Sequence, residues 1–427
     1  KFQNIWEEII ILKIKDACFL PRLFYYNYPS EYLVQYFGKN KIEHSKINIK
    51  FNTELRPAQK VAASTIINIF NKQNFVNGII KLPPGTGKTV LTVFLASQLG
   101  LKTCIILDNT SLLKQWIEAF IKFSNLTEED IGLIKQKFFI TNKPVTIAMA
   151  QTLGSKIKNK FNETIKLIDE SKFGLVVYDE VHSTSATDLY SKTNVFFRTP
   201  NILGLSATPF HYGTQEILMN NTIGNIIVES NKYELTPEYK MIYYNSQLQK
   251  YTFVMNKMGD YIKQKSYYNK ILLKSDLYLP LIIKLVQKAY HDGHKIIIVC
   301  MTIKQVQLIS ENLELEGLKV RQYTGKQTEI DKENDDIIAA TYSFIGKGFD
   351  MSRLSCLILA CSLSGKKSLI QVVGRILRAG GENKLKPIVY DLIDTCFPLL
   401  SVPEIKRKKA IISSEFPNCK LEEIKNG

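Results

Sequence analysis

The residues best suited to chemistry form one stretch, Leu82-Pro83-Pro84-Gly85-Thr86-Gly87-Lys88-Thr89. It follows the apolar pair Ile79-Ile80 and precedes Val90-Leu91-Thr92-Val93-Phe94-Leu95-Ala96, so the pattern predicts strand, tight loop and helix. Glycines let a loop turn sharply and aim its N–H groups inward, a helix N-terminus adds a positive dipole end, and Lys88 adds a mobile cation. Such a cradle suits a polyphosphate. Thr89 offers a hydroxyl to a Mg²⁺ bridging the terminal phosphates. The strict phosphate-loop pattern has glycine where this chain has Leu82, so the match is to the shorter Gly-x-Gly-Lys-Thr core.

Asp179-Glu180 closes the apolar run Leu175 to Tyr178, at the carboxyl end of a strand, where open α/β sheets place ligand-contacting groups. An aspartate there holds Mg²⁺ through its water shell, and the adjacent glutamate orients and deprotonates an attacking water. Ser206-Ala207-Thr208-Pro209 ends a further strand with two hydroxyls and, taken alone, is an ordinary strand-end turn. Gln371 to Arg378 carries Arg375 and Arg378, two of only eight arginines, at a spacing that predicts one face of a helix. Lys supplies every other basic residue, so these planar forks point to bidentate phosphate contact. A surface pair of helix cations is the alternative.

Positioning these groups requires buried parallel strands. Ile79-Ile80, Thr103–Leu107, Val145–Met149, Leu175–Tyr178 and Ile202–Leu205 are short, β-branched and continuous, with helical stretches between them. The rhythm returns at Ile296–Cys300, Ile337–Thr341, Cys356–Ala360 and Ile388–Tyr390. Two tandem doubly wound α/β domains follow, over residues 49–235 and 236–395, after an accessory segment 1–48 and before a tail 396–427. Lys406-Arg407-Lys408-Lys409 in that tail reads as a solvated helix end. The Tyr- and Lys-rich connection from Tyr233 to Tyr278, with Tyr261 inside it, has two readings: a base-stacking surface, or a strand and helix with one solvated face.

At 427 residues and 45% hydrophobic content the chain is long and apolar enough for two or three globular domains. A formal charge of +16 favours a polyanionic partner, nucleic acid ahead of an acidic membrane surface, although surplus Lys also serves solubility. Abundant Lys, Ile and Asn suggest an AT-rich coding genome. Cysteines 18, 104, 300, 356, 361, 396 and 419 are odd in number and scattered, which implies a reducing compartment and no zinc or iron–sulfur site. His291-Asp292-Gly293-His294 reads as a solvated turn. No secretory signal or unbroken apolar span of about 20 residues stands out, so no membrane role is expected. Lys at position 1 leaves open a fragment with a targeting segment lost.

The ordered set resembles the superfamily 2 helicases and translocases of the DExH type. Leu55-Arg56-Pro57-Ala58-Gln59 looks like their Q motif, and Pro83 to Thr89, including Pro84, Gly85, Thr86 and Gly87, resembles motif I. Asn109-Thr110 with Gln115-Trp116 is similar to motif Ia, and Ala148 to Leu153 to the next. Asp179-Glu180-Val181-His182 resembles motif II, and Ser206-Ala207-Thr208 motif III. Tyr323-Thr324-Gly325 and Thr341 to Met351, with Gly346-Lys347-Gly348-Phe349-Asp350, look like motifs IVa and V, and Gln371 to Arg378 like motif VI. Within the superfamily the spellings are similar to the XPB-like, UvsW-like and type III restriction helicases, including helicases of large cytoplasmic DNA viruses implicated in transcript release. The Arg-Glu-Asp signature of XPB proteins and the cluster-forming cysteines of XPD relatives are absent.

The resemblance implies two RecA-like domains and an ATP-driven motor, with ATP and Mg²⁺ between the first domain and Arg375 and Arg378 of the second. It implies that Gln59, beside Arg56, reads adenine and that Gly348 and Asp350 reach the nucleotide. Ser206, Thr208 and Gln371 are implied to couple turnover to movement, and Asn109, Thr110, Gln151, Thr152 and Thr341 to contact the strand backbone. The implied partner is nucleic acid, DNA with a single-stranded tract, with 3′→5′ movement by a monomer in cytoplasm, nucleus, viral factory or virion, alongside transcription or repair machinery. Three alternatives stay open: an ATPase acting on a protein or metabolite, a scaffold that keeps the fold without turnover, and duplex translocation without unwinding.

Overall fold

β-branched residues lose little freedom in extended backbone and pack well on a pleated surface, so the short Ile- and Val-rich runs become strands. The computed structural model describes residues 12–14, 17–19, 45–181, 193, 197, 199–209, 219–220, 222–230, 233, 235–248, 267–324, 334–345, 351–378 and 384–425. They form two units, divided between residues 230 and 231.

In the first unit the order is β1 (Leu12–Ile14), β2 (Ala17–Phe19), α1 (Pro57–Gln73), β3 (Asn77–Lys81), α2 (Lys88–Leu99), β4 (Thr103–Leu107), α3 (Ser111–Phe123), β5 (Ile131–Lys135), β6 (Phe138–Phe139), β7 (Val145–Met149), α4 (Ala150–Asn159), α5 (Phe161–Glu170), β8 (Leu175–Tyr178), β9 (Ile202–Ser206) and β10 (Ile226–Glu229). β1 and β2 pair antiparallel. The remaining strands form one eight-stranded sheet, ordered β10-β3-β9-β8-β4-β7-β5-β6, parallel except for the β5–β6 hairpin. Side chains alternate across it: Ile105 and Leu107 join Ala62, Ile66, Leu91 and Phe120 on one face, while Cys104 and Ile106 join Leu153, Ile157 and Ile168 on the other. Both faces are therefore covered, as a doubly wound sheet requires. Residues just before α1 also belong to this body, since Ile47 N–H donates to Gly100 O at 2.9 Å and Ile49 is buried in the core.

The second unit runs β11 (Glu238–Tyr244), α6 (Tyr278–His291), β12 (Ile296–Cys300), α7 (Ile303–Leu315), β13 (Arg321–Tyr323), β14 (Ile337–Thr341), α8 (Tyr342–Ile345), β15 (Cys356–Leu359), α9 (Lys366–Ile376), β16 (Ile388–Asp394), α10 (Pro398–Glu415) and β17 (Lys420–Lys425). Its seven strands are all parallel, ordered β13-β14-β12-β15-β16-β11-β17. The Tyr-rich connection contains a strand, β11, with core residues Tyr239 and Met241, in line with the second of its two readings. Two features differ from the sequence reading. The expected tail supplies α10 and β17, the latter paired along the length of β11. Lys408 is not solvated. It is fully buried, with its ammonium 2.8 Å from both Asp391 Oδ1 and Glu404 Oε1.

Burial pulls Lys408 toward neutrality, but Asp391 and Glu404 outweigh it and hold the ammonium above its ordinary range. Tyr239 donates to the other oxygen of Asp391 at 2.6 Å, and Ser362 bonds Glu404, so the buried charges are hydrogen-bonded as well as paired. Tyr268 likewise donates to Asp394 at 3.0 Å, and Tyr278 to the carbonyl of Ala360. These tyrosines of the connection are core residues with a polar tip satisfied inside; Tyr261 lies outside the described residues.

Candidate active site

The phosphate-loop candidate leaves β3 at Lys81 and enters α2 at Lys88. Leu82 is 1% exposed and belongs to the core, and its N–H donates to Ser206 O at 3.1 Å. Its role is packing, which explains an apolar residue where the strict pattern has glycine. Gly85 and Gly87 have φ of 84° and 78°, the left-handed region in which a side chain costs about 1–2 kcal/mol. Thr86 closes the loop on itself, its hydroxyl donating to Pro83 O at 2.8 Å. Lys88 Nζ donates to the carbonyls of Leu82 and Pro83 at 3.0 and 3.2 Å, which lays the ammonium across the loop mouth. Pro84 and Thr89 are half-buried, the latter in the first turn of α2.

Gln59 is 2% exposed and ties α1 to this loop. Its amide oxygen accepts from Arg56 N–H at 2.8 Å, and its nitrogen donates to the carbonyls of Thr86 and Gly87, each at 3.0 Å. The group expected to read adenine thus bonds the protein at both ends and fixes the loop. A β-carbon on Gly87 would stand 2.3 Å from that amide nitrogen, so this glycine is needed for close approach as well as for φ.

The acid pair follows β8. Asp179 N–H donates to Ile106 O at 3.0 Å, which continues the strand pairing and places the side chain at the sheet edge. Glu180 has φ of 49°, an unusual turn for a non-glycine residue that ends the strand abruptly. Asp179 is 9% exposed; Oδ2 accepts from Trp116 Nε1–H at 2.8 Å and Oδ1 from Glu180 N–H at 3.0 Å. Burial raises its pKa and the neighbouring Glu180 adds to this; against them work the Trp116 bond and Lys88, and the balance is about 6. The same Lys88 therefore acts on the loop and on the acid. The sequence placed Trp116 in the motif Ia resemblance but gave it no role at the acid pair, because a tryptophan on an apolar helix face reads as core. It is core, at 1% exposure, but its N–H has a destination.

β3, β9 and β8 are adjacent, with Lys81 opposite Ser206 and Gly204 opposite Tyr178. The loop, the acids and Ser206 consequently emerge side by side from the carboxyl edge of one sheet. Ser206 is fully buried and its hydroxyl accepts from Thr208 N–H at 3.0 Å; the buried Thr208 hydroxyl has no hydrogen-bond partner among the described residues. Asn109 and Thr110 follow β4, where Asn109 Oδ1 accepts from the N–H of Ser111, the first residue of α3, at 3.1 Å. Gln151 and Thr152 follow β7, with Gln151 exposed and the Thr152 hydroxyl accepting from Gln136 N–H at 3.1 Å.

In the second unit Thr341 ends β14 at 3% exposure, its hydroxyl 3.3 Å from Ser343 Oγ, so it shapes the turn into α8 and offers little surface to a strand. Gln371 and Arg375 lie on α9, but Arg378 does not: the helix ends at Ile376, and the sequence runs on into Gly380-Gly381, poor helix formers. The one-face spacing therefore applies only up to Arg375. The Arg378 carbonyl accepts from Lys384 Nζ. Gly348 and Asp350, like His182 and Gly325, lie outside the described residues. Among the described residues no helix is long and apolar enough to cross a membrane.

Comparison with known proteins places these stretches in two matched regions. Residues 52–211 match the family described as type III restriction enzyme, res subunit, and residues 278–380 match the helicase conserved C-terminal domain. A protein of Acanthamoeba polyphaga mimivirus bearing the name of an ATP-dependent RNA helicase is 26% identical over 84% of this chain and 70% of its own length. The DNA 3′-5′ helicase XPB of Kineococcus radiotolerans is 32% identical over 36% of this chain and 26% of its own. The fold of a single-substitution variant of S. cerevisiae Dbp5 bound to RNA and ADP BeF3 overlays with a TM-score of 0.58 at 15% identity, across 85% of this chain and 89% of that one.

Proposed function

The chain belongs to the superfamily 2 helicases of the type III restriction and XPB type, and from that premise we propose how its residues drive an ATP-fuelled motor on DNA. It is an ATP-dependent helicase with two RecA-like domains. The observation that carries the site assignment is the emergence of the Lys88 loop, Asp179-Glu180 and Ser206 from adjacent strands at one sheet edge, with Lys88 electrostatically coupled to Asp179.

In this reading the loop N–H groups and Lys88 bind the polyphosphate of ATP, and Gln59 keeps the loop in its binding shape. The donor set fits Mg²⁺: a buried carboxylate, fixed by Trp116 and the Glu180 N–H, sits near the Thr89 turn and suits a cation held through water. Asp179 and Thr89 would hold such a cation, which would supply neutralisation of charge on the terminal phosphates, and Glu180 takes the proton of the attacking water. Arg375 and Arg378 are the cations proposed to neutralise charge developing on the transferred phosphoryl group. Ser206, Thr208 and Gln371 couple turnover to movement; Asn109, Thr110, Gln151 and Thr152 grip the backbone without reading sequence.

DNA and 3′→5′ movement are supported by the name of the XPB relative, whereas the viral relative is named for RNA, the rival that the test separates. The test is ATP turnover with single-stranded DNA, duplex DNA and RNA in turn, followed by displacement from duplexes tailed at either end. The expected result is stimulation by single-stranded DNA and displacement from a 3′ tail. Stimulation by RNA alone overturns the DNA assignment, and turnover indifferent to all three overturns the motor.

A further inference from the structure

The β5–β6 hairpin is the outermost part of the first sheet, with Lys135 opposite Phe138 and Ile134 opposite Phe139. Strand alternation sends Ile134 and Phe139 into the core beside Leu153 and Ile157 and turns Lys135 and Phe138 to the opposite face. The turn residue Gln136 has φ of 52°, and its N–H donates to Thr152, which fastens the tip beside Gln151 at the start of α4. Phe138 is 45% exposed, with the Lys137 ammonium 5.6 Å from its ring centre; Lys156 lies 5.8 Å from the ring of Phe139. Among the described residues Lys135, Lys137 and Lys156 form no ion pair.

The core does not explain Phe138, since Phe139 already fills the inward position. Two cations without an ion pair among the described residues, Lys137 over the ring and Lys135 opposite it, beside a solvent-facing phenyl are the chemistry that holds a nucleotide by base stacking and phosphate attraction together. Its placement is consistent, because the tip is hydrogen-bonded to a residue at the strand-gripping edge.

We propose that this hairpin is a further contact for one strand of nucleic acid, in which Phe138 stacks on a base while Lys135 and Lys137 meet the flanking phosphates. The inference rests on the helicase reading and extends the strand's path beyond Gln151 and Thr152.

The test measures binding of fluorescein-labelled dT20 and rU20 to the full chain by anisotropy over a range of salt. Phe138→Ala should weaken binding about five- to a hundredfold, the size of a single base–aromatic stack, by a similar factor at every salt concentration. Phe138→Trp should retain affinity, and its new indole fluorescence should be quenched on adding dT20. The pair Lys135→Ala/Lys137→Ala should instead flatten the log–log salt dependence by about 0.7 for each phosphate left without its lysine. Thermal melts of each variant show that the fold is kept. If the unaltered chain binds neither oligonucleotide, the helicase reading itself fails. If it binds and Phe138→Ala matches it within twofold, this proposal alone is overturned. Weakening confined to the lysine pair leaves only an electrostatic patch and overturns the stacking role of Phe138.

Discussion

Replacing Trp116 by Phe removes a single donor from Asp179 while keeping an aromatic ring in the core. The indole N–H meets Asp179 Oδ2 at 2.8 Å in a buried setting, and a hydrogen bond to a charged group contributes about 1.5–3 kcal/mol. That bond favours the carboxylate, so without it Asp179 is harder to ionise. At 1.36 kcal/mol per pH unit, the acid limb of activity should move up by about one to two units from its position near pH 6. The sign follows from chemistry: only the ionised form holds a hydrated cation, so activity falls as pH falls through the folded-state value. At about pH 7 the unaltered enzyme should be near its plateau and the variant about two- to tenfold below its own, recovering above about pH 9. The assay is kcat/KM for ATP hydrolysis from about pH 5 to 9.5, because that parameter reports ionisations of the free enzyme. Substituting Phe also leaves a small cavity costing about 1–3 kcal/mol of stability; urea unfolding measures this separately, and it shifts no pH limb. An acid limb coincident with that of the unaltered enzyme, with activity lowered uniformly, would show that Trp116 merely packs.

Lys88→Ala should abolish ATP hydrolysis while much of the affinity for single-stranded DNA persists, and retained DNA-stimulated turnover would mean the loop is misassigned. Gly87→Ala should destabilise by about 1–2 kcal/mol for left-handed backbone plus about 1 kcal/mol for each Gln59 hydrogen bond displaced. Gly100→Ala, with φ of 60° but a nearest neighbour at 3.4 Å, should show only the backbone part; equal losses in urea unfolding would refute the close-approach argument. Lys408→Met should destabilise the second unit by about 3–5 kcal/mol near neutral pH, because Asp391 and Glu404 are left buried without their cation. Burial already holds Asp391 above its ordinary value against the pull of Lys408, and losing the lysine raises it further. The folded variant then binds more protons than the unfolded chain, so its stability rises as pH falls and the deficit should narrow from about pH 7.5 to 5.5. A deficit independent of pH would argue against a buried carboxylate as its source.

Nine apolar runs read from the sequence are strands in the structure, because a parallel strand buried on both faces must be apolar throughout and cannot be disguised. Strands with one polar face were less legible: β11 was only one of two readings of the Tyr-rich connection, and β17 escaped. β11 mixes Lys240 with Tyr239 and Met241, and its partner β17 is Lys- and Glu-rich; each is defined by a neighbour nearly 150 or more residues away, not by local pattern. The Lys406–Lys409 cluster failed for a related reason. A lysine reads as solvated until the fold brings Asp391 and Glu404 to it, and no local rule distinguishes Lys408 from Lys409, which stays partly exposed and pairs with Glu423.

The sequence by itself determined the strand–loop–helix at Lys88 and the strand end at Asp179-Glu180, since a glycine turn with a lysine and a strand-terminal acid pair are local patterns whose conformations follow from a few residues. Only tertiary structure decided how they are controlled. Pairing of β3, β9 and β8 sets Lys88 against Asp179, the approach of α1 lets Gln59 hold the loop, and the packing of α3 delivers the Trp116 N–H to a carboxylate 63 residues away. Those interactions join segments that share no sequence pattern, and in a buried site they set the acid's charge.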